Sequence, residues 1–253
     1  MMKTRVIPVL LLQNQGLVKT VQFKNPQYVG DPINTIRIFN EKEVDELMFL
    51  DISATPAGRE PNYQMIEDIA GEAFMPVAYG GGITSADQAM RIFGLGIEKI
   101  VINAAAFDHP EIIGEIAATY GRQAVAACLD FRKNMFGRYE LFTHGAKSKR
   151  KVKFEDHVRK LSESGVGEII INSIDRDGTQ KGYDVDLIRA VSSRVSVPVV
   201  ACGGASSVED FVKAVEEGGA SAVGAGSMFV FKGKLRAVLI NYPERGALTA
   251  RLP

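Results

Sequence analysis

The 253-residue chain is poor in the groups that hold small secreted or metal-bound folds together. It has two cysteines, Cys128 and Cys202, both inside apolar, strand-like runs. That excludes a disulfide framework and suits a reducing cytoplasm. It has three histidines. His144 and His157 have no ligand partners at zinc spacing, and His109 precedes a proline at a helix start, so no metal is implied. Net charge is absent too: 30 basic residues balance 30 acidic ones, leaving no global field to attract nucleic acid or an anionic membrane. No apolar run is long enough to span a bilayer. The opening MMKTRVIPVLLLQNQG has a short apolar run with no small-residue cleavage site after it, as expected of a buried first strand. Linkers and low-complexity tracts are missing, so residues 1–253 are expected to form one domain.

What is present is a repeat. Residues 80–106 align without gaps on residues 202–228, matching Gly81 to Gly203, Gly82 to Gly204, Ser85 to Ser207 and Gly96 to Gly218. Each copy runs strand end, glycine loop, helix, strand, small-residue loop. Apolar runs suited to buried parallel strands fall at 5–11, 47–52, 76–80, 99–103, 124–130, 168–173, 198–203 and 222–226. Amphipathic segments at 61–74, 85–95, 109–120, 154–164, 184–194 and 207–217 lie between them, with helix starts at Asp31-Pro32, Ser85, His109-Pro110 and Ser206-Ser207. Eight strands alternating with helices predict an α/β fold, a (β/α)8 TIM barrel built from two duplicated half-barrels. An open doubly wound sheet is the second choice.

Barrel active sites are built from the loops that follow the strands. Two of these are long: 12–30, and 131–153, where Asn134 to Gly137 sits between extended runs as in a hairpin. Both are candidate mobile covers. Glycine loops feeding helix N-termini bind anionic oxygens, so Gly81, Gly82, Asn103 and Ala104 form one expected phosphate site. Gly178, Gly203, Gly204, Gly226 and Ser227 form the other, and the ligand would carry a phosphate at each end. Tight βα turns are the plainer explanation of either set alone. Asp51, Asp130, Asp175 and Asp177 stand at strand ends, where a carboxylate suits general acid/base work or merely caps a loop. Asp130 is singled out because it ends an apolar strand ahead of a long loop. Its repeat partner near the end of the first strand is Leu11, so a symmetric acid/base pair is absent. Arg5, Glu46, Lys99 and Glu168 stand at strand starts, where two cations and two anions suit either strand-end solvation or a polar ring closing the barrel floor. The basic run KSKRKVK at 147–153 is expected to be a solvated face, with a phosphate-lid role as the alternative.

With these residues assembled, the chain resembles the HisF family, the cyclase subunit of imidazole glycerol phosphate synthase, over essentially its whole length. The motifs are FLDIS (49–53), GGGI (80–83), KIVINAAA (99–106), SIDRDGTQKGYD (173–184) and CGGA (202–205). The resemblance implies a half-barrel duplication with two phosphate sites and no cofactor. It implies a glutaminase partner, HisH, on the barrel floor, and ammonia passing a charged gate, here Arg5, Glu46, Lys99 and Glu168, into the barrel. Glu98 falls on the docking face, Lys19 matches the flexible-loop lysine, and Asp51 and Asp177 fall among the substrate residues. Asp130 matches one catalytic aspartate, while Leu11 stands where the family has the other. Leucine cannot transfer a proton, and general acid/base catalysis contributes about 10²–10⁴-fold. This departure resembles HisF-related proteins that work with a HisH-like glutaminase and an N-acetyl sugar amidotransferase, converting acetamido to acetamidino groups for surface polysaccharide. An authentic lyase-type cyclase of histidine biosynthesis and a HisA-type isomerase are the alternatives.

Overall fold

The computed structural model describes residues 4–233 and 235–253. Eight parallel strands form the core: β1 (Arg5–Gln13), β2 (Leu47–Asp51), β3 (Val77–Gly80), β4 (Lys99–Ile102), β5 (Val125–Lys133), β6 (Glu168–Ser173), β7 (Val199–Cys202) and β8 (Ala222–Ala225). Each pairs with the next, and β8 closes on β1 with Arg5 opposite Ala222 and Pro8 opposite Ala225. The result is a closed (β/α)8 barrel, and no sheet edge remains in it.

Alternation along the strands explains why every strand is apolar on both faces. One set of side chains fills the lumen: Ile7, Met48, Ala78, Val101, Ala126, Cys128, Ile170, Val200 and Ala222, with Val9, Leu50 and Cys202 packed against them. The intervening set, Val6, Leu10, Leu47, Phe49, Ile100, Val125 and Ile169 among them, packs under the helices. Those helices are α1 (Pro32–Glu41), α2 (Tyr63–Glu72), α3 (Ala86–Gly94), α4 (Glu111–Tyr120), α5 (Phe154–Glu163), α6 (Val185–Ser192) and α7 (Val208–Glu216), with α8 (Arg245–Thr249) near the end of the chain.

Local chemistry sets the helix starts. The Asp31 side chain accepts from the Asn34 amide ahead of Pro32, and Ser85 accepts from the Gln88 amide. Ser207 and Asp210 form a reciprocal capping box. His109-Pro110 starts a helix as expected, with Pro110 as the N-cap of α4. A turn of helix, Ala105–Asp108, precedes it, and α4 begins after Pro110 with no side-chain cap. The repeat persists here, since a second four-residue helix, Ser227–Val230, follows β8 as Ala105–Asp108 follows β4.

The two long connections are built from strands. Gly16–Val21 folds back on β1 and pairs with Lys24–Gly30. β5 runs on to Lys133 and pairs with Tyr139–Thr143, around a turn in which Asn134 accepts from the amides of Phe136 and Arg138. Among the described residues, no helix is long and apolar enough to cross a membrane.

Candidate functional site

The N-terminal ends of the strands form the barrel floor. Inward parity carries four charged side chains there, and they close on one another. Arg5 donates to Glu46 and, at 2.6 Å, to Glu168. Lys99 reaches Glu46 at 2.9 Å and Glu168 at 2.8 Å. Glu46 and Glu168 are buried, and Lys99 is only 14% exposed. Two carboxylates and two cations alternate around the ring, so each desolvated charge has two opposite neighbours. Burial favours a neutral Glu168, but Lys99 and Arg5 outweigh it and hold the carboxyl below the usual glutamate range. Burial likewise disfavours the Arg5 cation, and Glu168 and Glu46 outweigh it. Glu98, exposed at the same end, accepts from the Val77 amide at 2.8 Å.

Above the ring lies the apolar lumen, and above that a cavity of about 990 Å³ opens at the C-terminal ends of the strands. It reaches down to Met48, Val101, Ile170 and Gly224. All nine residues expected at the two phosphate sites line it: Gly81, Gly82, Asn103 and Ala104 on one side, and Gly178, Gly203, Gly204, Gly226 and Ser227 on the other. The duplicated glycines have a shared reason to be glycine. Gly81 has φ +117°, and a Cβ there would collide with the Asp51 carbonyl oxygen; Gly203 has φ +86°, with the Ser173 carbonyl oxygen 2.8 Å from where a Cβ would stand. Both loops turn against the end of the preceding strand, leaving no room for a side chain.

The strand-end carboxylates divide by what they touch. Asp51 is occupied locally, its Oδ1 accepting from the Ser53 amide and hydroxyl and the Ala54 amide. That is the loop-capping role, the plainer of the two expected for it, although Asp51 also lines the cavity. Asp175 accepts from the Lys133 amide at 2.8 Å and lies outside the cavity lining. Asp177 accepts from Thr20 at 3.1 Å. Asp130 is buried and faces the cavity, accepting from Asn103 at 3.1 Å and from Asn172 at 3.4 Å. Its carboxyl is pushed up to about 7. Burial is the main cause; the bond from Asn172 opposes it, the charge on Asp177 adds to it, and the bond from Asn103 opposes it.

Across the mouth, Leu11 lines the cavity where an acid was missing from the repeat. Val18 pairs with Leu11 on the folded-back strand, and the next residue, Lys19, turns inward. Its ammonium donates to the Val9 carbonyl and sits against Gly226, where a Cβ would collide with it. Burial lowers Lys19 to about 8, with Asp177 opposing the shift. Lys19 and Asp130 thus line one cavity, each shifted toward neutrality by burial.

Sequence reasoning missed Asn172. The signal was available: counting inward positions up from Glu168 gives Ile170 and then Asn172, which stands in register with Asp130. The inward turn of Lys19 had no such signal, because it depends on a hairpin that strand periodicity alone does not specify. Of the basic run 147–153, Lys147 lines the cavity; Lys151 and Lys153 are exposed. Among the described residues, no group of His, Cys, Asp and Glu is arranged to hold a metal ion.

The fold is a duplicated-loop barrel with a charged ring at one end and a carboxylate-bearing cavity at the other. The chain belongs to the histidine biosynthesis protein family, whose profile matches residues 5–236, and it is a HisF-like synthase subunit within it. It is 53% identical over 244 residues to a Pseudomonas aeruginosa protein described as "Putative imidazole glycerol phosphate synthase subunit hisF2", covering 96% of this chain and 97% of that one. A Leptospira borgpetersenii protein described in the same way, as subunit HisF, is 49% identical over 96% of both chains. The imidazole glycerol phosphate synthase subunit HisF of Hyphomonas neptunium is 42% identical over 91% of both.

Proposed function

We propose that this chain is the ammonia-conducting barrel of a glutamine-dependent complex, and that the ammonia serves to amidate an N-acetyl sugar destined for surface polysaccharide. A HisH-like glutaminase docks on the floor beside Glu98 and hydrolyses glutamine to glutamate and ammonia. The ring of Arg5, Glu46, Lys99 and Glu168 is the gate, and the apolar lumen carries neutral ammonia while disfavouring ammonium. At the mouth the nitrogen replaces the acetamido oxygen. In net balance that oxygen leaves as water, restoring the water used on glutamine. The observation carrying this reading is an asymmetry: the floor ring is complete, whereas Leu11 opposes Asp130 across the mouth.

The test combines the purified chain with its glutaminase, glutamine and the bisphosphorylated ribulosyl aminoimidazole carboxamide intermediate. Association with glutamate release, and no consumption of the intermediate, is the expected result. Imidazole glycerol phosphate formed at an ordinary enzymatic rate would sink the reading.

That outcome would favour the second reading, a working cyclase of histidine biosynthesis. The placement of Lys19 supports it. A buried ammonium lowered to about 8 lines the same cavity as a carboxyl raised to about 7, and these are two groups able to give and take protons without an acid at position 11. In that case Lys19→Met would lower turnover by about 10²-fold or more, and Asp130→Asn would do the same.

A further inference from the structure

Exposed apolar side chains are distributed unevenly over this molecule. Of the eleven large hydrophobic residues exposed among the described residues, eight lie in segments that follow strands, at the mouth: Val21, Tyr28, Met135, Phe136, Val152, Leu235, Val238 and Leu239. Three of these rank among the most exposed, with Leu235 at 95%, Met135 at 90% and Phe136 at 80%. They sit on the tips of the loops after β5 and β8. One loop gathers these tips together with the hairpin after β1. The Asp175 carbonyl accepts from Gln22, the Asp175 carboxylate accepts from the Lys133 amide, and the Gly178 carbonyl accepts from Arg236. Three segments far apart in sequence are thus fastened to residues 175–178, of which Asp177 and Gly178 line the cavity.

Charge is uneven in the same place. Segments 14–30 and 131–153 hold ten lysines and arginines and a single acidic residue, Glu140, in a chain that is neutral overall. Four of the ten are neutralised locally, Arg132 by Asp175, Lys133 by Asp184, Lys149 by Glu140 and Arg150 by Asp108. Arg138, Lys147, Lys151 and Lys153 have no salt bridge among the described residues. Exposed apolar tips on loops that also carry unneutralised cations have the composition of a protein-docking face, and they call for an acidic counterpart. A small anionic ligand in the cavity would not account for it, because Met135, Phe136 and Leu235 do not line the cavity.

We propose that this sector of the mouth is the docking surface for the ammonia-accepting enzyme, and that the enzyme's own face is apolar at the centre and acidic around it. The proposal rests on the conduit reading above. Ammonia released at an uncovered mouth is protonated by water and lost, so the acceptor must cap the cavity, and the tips of Met135, Phe136 and Leu235 are the contacts that seal it. A second copy of this chain is the weaker occupant, since two basic rims would repel.

The experiment measures binding of the purified sugar-amidating enzyme to the glutaminase–barrel complex at two salt concentrations. The double variant Met135→Asp with Phe136→Asp is expected to weaken binding at least tenfold, and Lys151→Glu with Lys153→Glu to slow association severalfold at low salt. Both should leave glutaminase binding unchanged. Phe74→Asp, on the floor side and 85% exposed, should leave acceptor binding unchanged. Equal affinity for the wild type and the M135D/F136D double variant overturns the proposal. So does self-association of the chain that the same substitutions abolish. If the acceptor receives ammonia from the complex yet ignores the mouth substitutions, only the surface assignment fails. If it neither binds nor receives ammonia, the conduit reading fails and takes this proposal with it.

Discussion

The two ends of this barrel handle buried charge in opposite ways. At the floor four charged groups pair alternately with one another, and Glu168 is held ionised by Lys99 and Arg5 against the pull of burial. At the mouth Asp130 has only amide donors, and burial prevails, raising it to about 7. Both carboxylates are buried; what differs is whether a cation stands within reach. Lys19 is turned toward the mouth but is spent on the Val9 carbonyl and the field of Asp177. A paired carboxylate suits a fixed structure or a gate, and an unpaired one stays free to exchange protons.

The sharpest way to break this contrast is to spoil the floor. Glu168→Ala leaves two cations sharing Glu46 and should cost about 3–5 kcal/mol in urea unfolding; a loss under about 1 kcal/mol would mean that the ring is not one network. Asp130→Asn should act in the opposite direction. A carboxyl raised from the ordinary range to about 7 penalises folding increasingly as pH climbs from about 4 to 7, and the penalty is constant above that. The Asn variant should therefore gain on the order of 2 kcal/mol near pH 8 and nothing near pH 4, as read from melting temperatures across pH. Gly178→Ala tests what holds the mouth hairpin in place. At φ +70°, with the Thr20 carbonyl oxygen in the space a Cβ would need, alanine should cost about 1–3 kcal/mol and speed tryptic cleavage after Lys19 and Lys24. The smallest effect belongs to Asn172→Leu, which removes a bond that lowers Asp130; carbon-detected NMR should find that carboxyl titrating at higher pH than in the wild type.

Much of this was legible in the residues. Two-sided apolar runs at regular spacing, with a gapless repeat of glycine loops, were enough to predict the closed barrel, because strand parity and helix caps are local consequences of sequence. Arg5, Glu46, Lys99 and Glu168 could be placed on one floor by the same parity, although their mutual contacts needed the barrel to close. Asp51 suited either chemistry or capping as a sequence position; only the folded loop reveals that Ser53 and Ala54 occupy its Oδ1. The mouth was least legible. The fold of 16–30 into a hairpin rests on pairing with β1 and on the residue 175–178 loop, which are long-range contacts without periodic trace.

The loop at 175–178 also sets how the mouth fluctuates. Segments near residues 22, 133 and 236 are each anchored to it, so releasing it frees all three together. Hydrogen exchange should then find the Gln22 and Lys133 amides, 111 positions apart in the chain, opening with a common free energy and a common response to denaturant. The cover of the cavity would behave as a single cooperative unit assembled from distant stretches of chain, with its own stability well below that of the barrel beneath it.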